Sequence, residues 1–170
     1  MKTAKRLLAL ALAGVMALAL LTGCSDSSSK AKQVEEYFRY RMGQFADYQK
    51  DETLDKKLEV IAQKFQPDWL AGENLLTDEA QNIIKNELGD YLVTGSVWLW
   101  FGEVKPDQSA LAQAESMKRC MGIVYASYGD YSGPQQPLYA IAFTMTGEKS
   151  DGHRYYLTLE TNATIKTPQN

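Results

Sequence analysis

The chain has 170 residues, of which 45% are hydrophobic and 23% charged, and its formal net charge is −3. These are the proportions of a globular protein, and they exclude a disordered, collagen-like or multi-span membrane protein. The length is that of a single domain. It disfavours the substrate-binding component of an importer, because such proteins close two lobes around a ligand.

The first 23 residues have the pattern of a secretory signal. Lys2, Lys5 and Arg6 precede an apolar run over residues 7–20. This run is shorter than the stretch of about 20 apolar residues that a membrane-spanning helix needs, and small residues follow it as a signal peptidase requires. Removal of residues 1–23 takes three of the 18 cations and none of the 21 acids, which leaves a net charge of −6.

The sequence Leu21-Thr22-Gly23-Cys24 at the end of this run resembles the lipobox of bacterial lipoproteins. In that family diacylglycerol is attached to the cysteine thiol, and cleavage before the cysteine makes it the first residue. The resemblance implies that Cys24 is lipidated and holds the protein on the cell membrane, facing outside the cytoplasm. Residues 24–30 then form a lipidated, Ser-rich tether and residues 31–167 a single domain. The alternative is an uncleaved anchor with an incidental cysteine.

The charge of the mature chain restricts its partners. A net charge of −6 repels polyanions, so we expect no nucleic-acid partner. It also gives the body of the domain no attraction to anionic lipid. The expected partners are therefore the membrane, through the lipid on Cys24, and a small molecule, a glycan or another protein.

Two helices are predicted in the first third of the domain. Apolar residues at steps of three and four predict a helix over residues 31–48, with Ser29 as a candidate cap. A second helix is predicted to start near Asp51 or Thr53. It ends before Pro67, because the residue before a proline disfavours the α conformation.

A third helix is predicted between Thr77, which can cap it, and Gly89, which can stop it. After Gly89 the hydrophobic period changes from about 3.6 to 2, which indicates strands. The segment over residues 106–116 is compatible with either a short helical turn or a plain loop. Four strands are predicted over residues 91–104, 117–128, 138–146 and 153–166.

The strand patterns also predict how the strands are arranged. The first is apolar on both faces over residues 97–101, which favours a central position. The last alternates most regularly, so one of its faces is expected to be wet. The turn-rich segment over residues 147–152 is expected to join the last two strands as an antiparallel hairpin.

Helices followed by consecutive strands predict an α+β fold, with two or three N-terminal helices packed on one face of a curved antiparallel sheet of about four strands. This layout resembles the cone of cystatin-like and nuclear-transport-factor-like proteins, in which the sheet wraps the helices and leaves a pocket at its wide end. Enzymes with that fold, such as ketosteroid isomerases and small dehydratases, use Asp, His or Tyr in the pocket. The resemblance therefore leaves a small pocket enzyme of the isomerase or dehydratase type as an alternative function.

No catalytic residue, metal or cofactor is predicted from motifs. With one histidine and no cluster of ligands at metal-binding spacing, a zinc site is not expected. Cys120 lies in an apolar strand-like run and is expected in the core. His153 lies beside a predicted turn and is expected in solvent, although a role for it as a general acid or base is left open.

Aromatic residues are the strongest indication of binding. The chain has 18 of them, ten of which are tyrosines, and Tyr and Trp combine a large apolar face with a polar tip. One interpretation places these side chains in the core, and the other on a binding surface. The second predicts a non-catalytic binding or interaction module, with candidate ligand-binding residues Trp98, Trp100, Tyr125, Tyr128 and Tyr131.

Overall fold

The computed structural model describes residues 27–70, 72, 74–89, 91–121, 124–126 and 133–167. The chain divides into two compact units, residues 1–30 and 31–170. Residues 1–26, which contain the predicted signal and Cys24, lie outside the described residues. Within the described ranges no helix is long and apolar enough to cross a membrane.

Four α-helices occur in the described ranges: α1 Ser27–Met42, α2 Glu52–Lys64, α3 Asp78–Leu88 and α4 Ala110–Ser116. A short 3₁₀ helix spans Pro67–Trp69. The side chains of Asp51, Thr77 and Ser109 cap α2, α3 and α4 by accepting a hydrogen bond from the backbone N–H three residues later. The starts of α2 and α3 are therefore confirmed, and α4 forms where the sequence left a helix or a loop open.

The first helix differs from its prediction at both ends. It begins at Ser27, so the expected cap Ser29 lies inside it, and residues 27–30 of the expected tether are helical. It ends at Met42 because Gly43, a poor helix former, closes the last turn by donating its N–H to the carbonyl of Arg39 at 2.8 Å. The segment after Gly43 leaves the helix and reaches the sheet, where Gln49 pairs with β4.

Five strands lie in the part of the chain that the structure describes: β1 Leu92–Glu103, β2 Lys118–Arg119, β3 Val124–Ala126, β4 Gln135–Met145 and β5 Tyr155–Lys166. All of them pair antiparallel, in the order β2-β1-β5-β4, and β3 also pairs with β1. The predicted single strand over residues 117–128 is thus two short strands. The chain leaves the ladder at Met121, whose N–H binds the carbonyl of Asn74 at 2.6 Å.

Helices cover both faces of the sheet. On one face the apolar stripes of α2 and α3 form a core with the residues of β1, β4 and β5 that point toward them, among them Leu58, Ile84, Leu99, Ala142 and Leu159. On the other face α1 and α4 form a second core with the alternate strand residues, among them Phe38, Ala114, Ile141 and Tyr156.

The α+β class, with N-terminal helices packed on an antiparallel sheet, is confirmed. The expectation that all helices lie on one face is wrong. The expectation of a wet face on β5 is wrong for the first half of the strand, whereas Asn162 and Lys166 on the same face are exposed. Tyr156, Thr158 and Glu160 lie on that face and are buried, because α1 and α4 cover it. Val34 and Phe38 of α1 supply the apolar stripe that needs this second face.

The edge of the sheet at β4 is closed along part of its length. Gln49 donates its backbone N–H to the carbonyl of Tyr139 at 2.9 Å and accepts the N–H of Ile141 at 3.2 Å. This bridge continues the ladder by one residue on the outer side of β4. Pro137, nearer the start of the strand, has no N–H to offer.

Candidate ligand-binding surface

The face of the sheet that α1 and α4 cover is built from rows of residues that run across β1, β5 and β4. From the covered end to the open end the rows are Gly102–Tyr156–Met145, Trp100–Thr158–Phe143, Trp98–Glu160–Ile141 and Ser96–Asn162–Tyr139. In the last row Asn162 is exposed, and Tyr139 has 43% of its surface exposed. The half of this face near the last row is thus open to a ligand.

A buried carboxylate lies at the boundary between the two halves. Glu160 is only 5% exposed. Its Oε1 accepts a hydrogen bond from the hydroxyl of Tyr48 at 2.7 Å, and its Oε2 accepts one from the indole N–H of Trp100 at 2.8 Å. Burial and this hydrogen bond to Glu160 raise the pKa of Tyr48, so Tyr48 stays protonated and remains a donor. Each carboxylate oxygen therefore accepts one hydrogen bond from a side chain of the protein.

A guanidinium group lies over the ring of Trp98 beside this carboxylate. The central carbon of the Arg119 guanidinium is 4.0 Å from the centroid of the Trp98 ring, a cation–π contact. The Nε of Arg119 is 3.8 Å from Oε2 of Glu160. The guanidinium thus contacts both the indole and the carboxylate, while the Arg119 side chain remains 41% exposed.

Trp100 belongs to the covered half of the face. Its ring meets Phe38 of α1 edge to face, with the centroids 5.3 Å apart. The guanidinium of Arg41 contacts both rings, at 5.2 Å from Trp100 and 5.0 Å from Phe38. Burial lowers the pKa of Arg41. Trp100 therefore joins α1 to the sheet, and Trp98 is the tryptophan beside the open half.

The predicted site residues are only partly within the described residues. Trp98 and Trp100 share one face of β1, as their spacing predicted. The backbone of Tyr125 pairs with Gly95 of β1, and its side chain is not described. Tyr128 and Tyr131 lie outside the described residues.

Three residues of this surface were not predicted from the sequence: Tyr48, Arg119 and Glu160. Tyr48 was expected on the apolar stripe of a helix that ends before it. Glu160 was expected in solvent, because β5 alternates so regularly. The available signal was that Glu160 is the one acidic residue in the sequence of β5.

A second group of titratable residues lies at the hairpin between β4 and β5. Nδ1 of His153 is 2.9 Å from Oε1 of Glu103, and the hydroxyl of Tyr155 donates to Oδ2 of Asp151 at 2.5 Å. The bond from Tyr155 is the largest cause that lowers the pKa of Asp151. The His153 and Glu103 side chains are half-exposed, which fits the expected solvent position of His153.

Cys120 lies in the core, as expected. Burial raises the pKa of its thiol to about 12, so it is a poor nucleophile at neutral pH. Among the described residues, no group of three His, Cys, Asp or Glu side chains could hold a metal ion.

Comparisons with known proteins identify no relative of this chain. No family model, no curated protein and no solved structure matches it. Function is therefore inferred from the residues and contacts of the chain itself.

Proposed function

We propose that the chain is a membrane-anchored lipoprotein outside the cytoplasm, with a domain that binds a ligand without catalysis. The anchor is the lipid on Cys24, which rests on the resemblance of Leu21-Thr22-Gly23-Cys24 to a lipobox. Two or three acyl chains hold a protein on a bilayer where one would not. The binding part of the proposal rests on the open half of the sheet.

The observation that carries the binding function is the Arg119 guanidinium on Trp98, next to an exposed Asn162 and Tyr139. We call these four residues the open sheet surface. Neighbouring strands lie about 4.8 Å apart and each residue rises about 3.4 Å, so Trp98 and Tyr139, which are two strands and one row apart, are separated by about 12 Å along the sheet. The surface thus has two aromatic side chains, with the amide of Asn162 on the strand between them and the guanidinium of Arg119 beside Trp98. These groups suit a ligand with flat apolar faces and a hydroxyl-rich rim.

A neutral glycan has this chemistry, because a sugar ring presents C–H groups on its faces and hydroxyls on its edge. The charge of the mature domain also disfavours polyanionic ligands. Of the partners that the sequence left open, the open sheet surface thus supports a glycan best. The guanidinium and amide groups then supply hydrogen-bond donors, and each indole or phenol ring a surface for stacking.

A titration of the full-length protein in detergent with soluble chitooligosaccharides and cellooligosaccharides tests the binding function. We expect a saturable heat of binding for the wild type. In Trp98→Ala the affinity should fall at least about tenfold, because loss of an aromatic contact with the ligand costs roughly 1.4 kcal/mol or more. Tyr40→Ala, which removes an exposed aromatic residue of α1, is the matched control and keeps wild-type affinity. Equal affinity in Trp98→Ala and wild type would contradict the assignment.

The intact mass of the protein extracted from membranes tests the anchor. We expect the mass of a chain that begins at Cys24 and carries diacylglycerol, with or without a further acyl group. Cys24→Ala is expected to accumulate with residues 1–23 still attached. A wild-type chain that retains residues 1–23 would support the uncleaved anchor instead.

A second candidate function is a small pocket enzyme, and the observation that favours it is the buried Glu160 next to Tyr48. Acid–base catalysis by Glu160 requires one of its oxygens to receive a proton from a substrate. Glu160 is only 5% exposed and is held by hydrogen bonds from Tyr48 and Trp100, so a substrate has little access to its oxygens, which favours binding over catalysis. A turnover that is lost in Glu160→Gln while the fold and ligand affinity persist would establish the enzyme.

A further inference from the structure

An apolar groove lies on the outer side of α1, where α4 runs beside it. It has a volume of about 480 Å³ and is lined by Gln33, Glu36, Tyr37, Tyr40 and Leu111; we call it the tyrosine groove. Its aromatic and aliphatic side chains are open to solvent, with 45% of Tyr37, 74% of Tyr40 and 47% of Leu111 exposed.

The core of the domain does not account for this exposure. The buried residues of α1, Val34, Phe38 and Met42, follow one another at steps of four and point to the sheet. The groove residues of α1 repeat at steps of three and four on the side away from that stripe. α1 therefore has two apolar stripes, and only one of them is covered by the protein.

The length of chain between Cys24 and α1 indicates what covers the second stripe. Ala31, near the start of α1, lies seven positions after Cys24, which limits the distance between the two residues to about 25 Å. Tyr40 lies nine residues further along the helix, or about 14 Å. A lipid on Cys24 therefore confines the tyrosine groove to within about 40 Å of the bilayer. This tether raises the effective concentration of the groove at the membrane, so that even a weak contact between the two is populated.

The chemistry of the groove fits the interfacial region of a bilayer. Tyrosine is enriched at the level of the lipid headgroups, where its ring lies among the acyl chains and its hydroxyl meets water. Glu36 is the only charged residue that lines the groove, and it is exposed. The contact thus needs no anionic lipid.

We infer that the tyrosine groove rests on the bilayer, with Tyr37, Tyr40 and Leu111 in the headgroup region. The inference depends on the proposed anchor, because without the lipid on Cys24 nothing holds α1 near a membrane. It adds a second, non-covalent contact that fixes how the domain is oriented on the surface.

The test uses the full-length lipidated protein in phosphatidylcholine vesicles, with a fluorophore attached at Leu111→Cys. Leu75→Cys is the matched control, since Leu75 is 51% exposed and Leu111 47%, and Leu75 adjoins Leu76 in the core of the other face. Cys120 is buried and Cys24 carries lipid, so the label attaches at the introduced thiol. We expect nitroxide-labelled lipids to quench the probe at position 111 several-fold more than the probe at position 75.

Variants of the groove separate the membrane contact from other occupants. Tyr37→Ser with Tyr40→Ser is expected to reduce quenching at position 111 to the level at position 75, whereas Tyr139→Ser leaves it unchanged. Phosphatidylglycerol or added salt is expected to leave the quenching as it is. A probe at position 111 that is shielded from water without being quenched, or quenched only with anionic lipid, would overturn the proposal.

The intact mass of the same sample distinguishes the two proposals. A chain lipidated on Cys24 whose probe at position 111 stays in water overturns the groove contact alone. A chain without lipid overturns the anchor and this contact with it, and leaves the open sheet surface to be judged by its own titration.

Discussion

Tyr48, Glu160 and Trp100 form hydrogen bonds that connect the segment after α1 to the two central strands. Hydrogen bonds to a charged group contribute about 1.5–3 kcal/mol each. We expect Tyr48→Phe to lower the free energy of unfolding by roughly that amount, because Oε1 of Glu160 loses its donor while it stays buried. Urea unfolding followed by tryptophan fluorescence measures the change.

Tyr139→Phe is the control for this prediction, since its side chain is 43% exposed and water replaces any partner of its hydroxyl. The double variant Tyr48→Phe with Glu160→Gln should cost less than the two single changes added together, because both remove the same hydrogen bond. Additive costs would show that Tyr48 stabilises the fold without Glu160.

Cys120 supplies a prediction about pH. Its folded pKa is raised by burial from 9.0 to about 12, so the unfolded chain loses its thiol proton first as the pH rises. The contribution of this thiol to stability is therefore complete below pH 9 and is lost between pH 9 and about 12.

We expect Cys120→Ala to remove this part of the alkaline destabilisation, which unfolding curves of wild type and variant across this pH range would show. In the folded protein the thiol should also resist iodoacetamide until guanidinium chloride unfolds the chain. Rapid alkylation of the native protein would mean that the strand around Cys120 opens readily.

At this scale the sequence predicted environments better than partners. Cys120 in the core and His153 in solvent follow from their neighbours in the chain. The contacts of Glu160 do not, because Tyr48, Trp100 and Arg119 come from three distant segments that only the folded sheet brings together. Local pattern carries no information about such a meeting.

At the scale of the elements, the pairing of β1 with β5 depends on a glycine. Gly95 has a φ of 125°, and a Cβ there would lie 2.4 Å from the Cα of Ala163. We expect Gly95→Ala to destabilise the fold by about 2–5 kcal/mol, through overpacking and a backbone conformation that L-residues avoid. Thermal or urea unfolding measures the cost.

Two other glycines separate the causes. Gly152 has a φ of 80° but nothing within 4 Å of an added Cβ, whereas Gly147 has open space and no positive φ. Gly152→Ala is thus expected to cost about 1 kcal/mol from strain alone, and Gly147→Ala less than about 0.5 kcal/mol. Similar losses at Gly95 and Gly152 would argue against the close approach of β1 to β5.

Elements with a cap residue and one clear stripe were predictable. Asp51 and Thr77 mark the starts of α2 and α3, and the hairpin over residues 147–152 follows from its turn residues. The separation of β2 from β3 was not predictable from local pattern, because Met121 donates its N–H to Asn74, a residue far away in the sequence. The α1 prediction ran too far because Phe45 and Tyr48 continue the apolar spacing after the helix has ended.

For the whole molecule, two cores on opposite faces of one sheet predict a single cooperative unfolding transition. Phe38→Ala in the core under α1 should cost about 3–5 kcal/mol, as much as Leu58→Ala in the core under α2, because both side chains are fully buried. Equilibrium unfolding in urea measures both variants. A small cost for Phe38→Ala alone would mean that α1 is only loosely attached.

The class of the fold followed from the order of helices and strands, but its layering did not. An alternating strand such as β5 looks the same in sequence whether its polar face meets water or a helix with compatible side chains. Here the second face is covered because α1 is apolar on the side of Phe38 and because α4 forms from a segment of neutral composition. Deciding this required the three-dimensional register.

If the proposed lipid on Cys24 confines the protein to a membrane surface, the Gln49 bridge on the outer side of β4 has a consequence for its assembly. Lipid-anchored molecules diffuse in two dimensions with their orientation restricted, so identical strand edges meet far more often than they do in solution. An unpaired edge under those conditions is a template for fibrous assembly. Because Gln49 occupies the carbonyl of Tyr139 and the N–H of Ile141, and Pro137 has no N–H to donate, crowding on that membrane would not readily convert these domains into a continuous sheet.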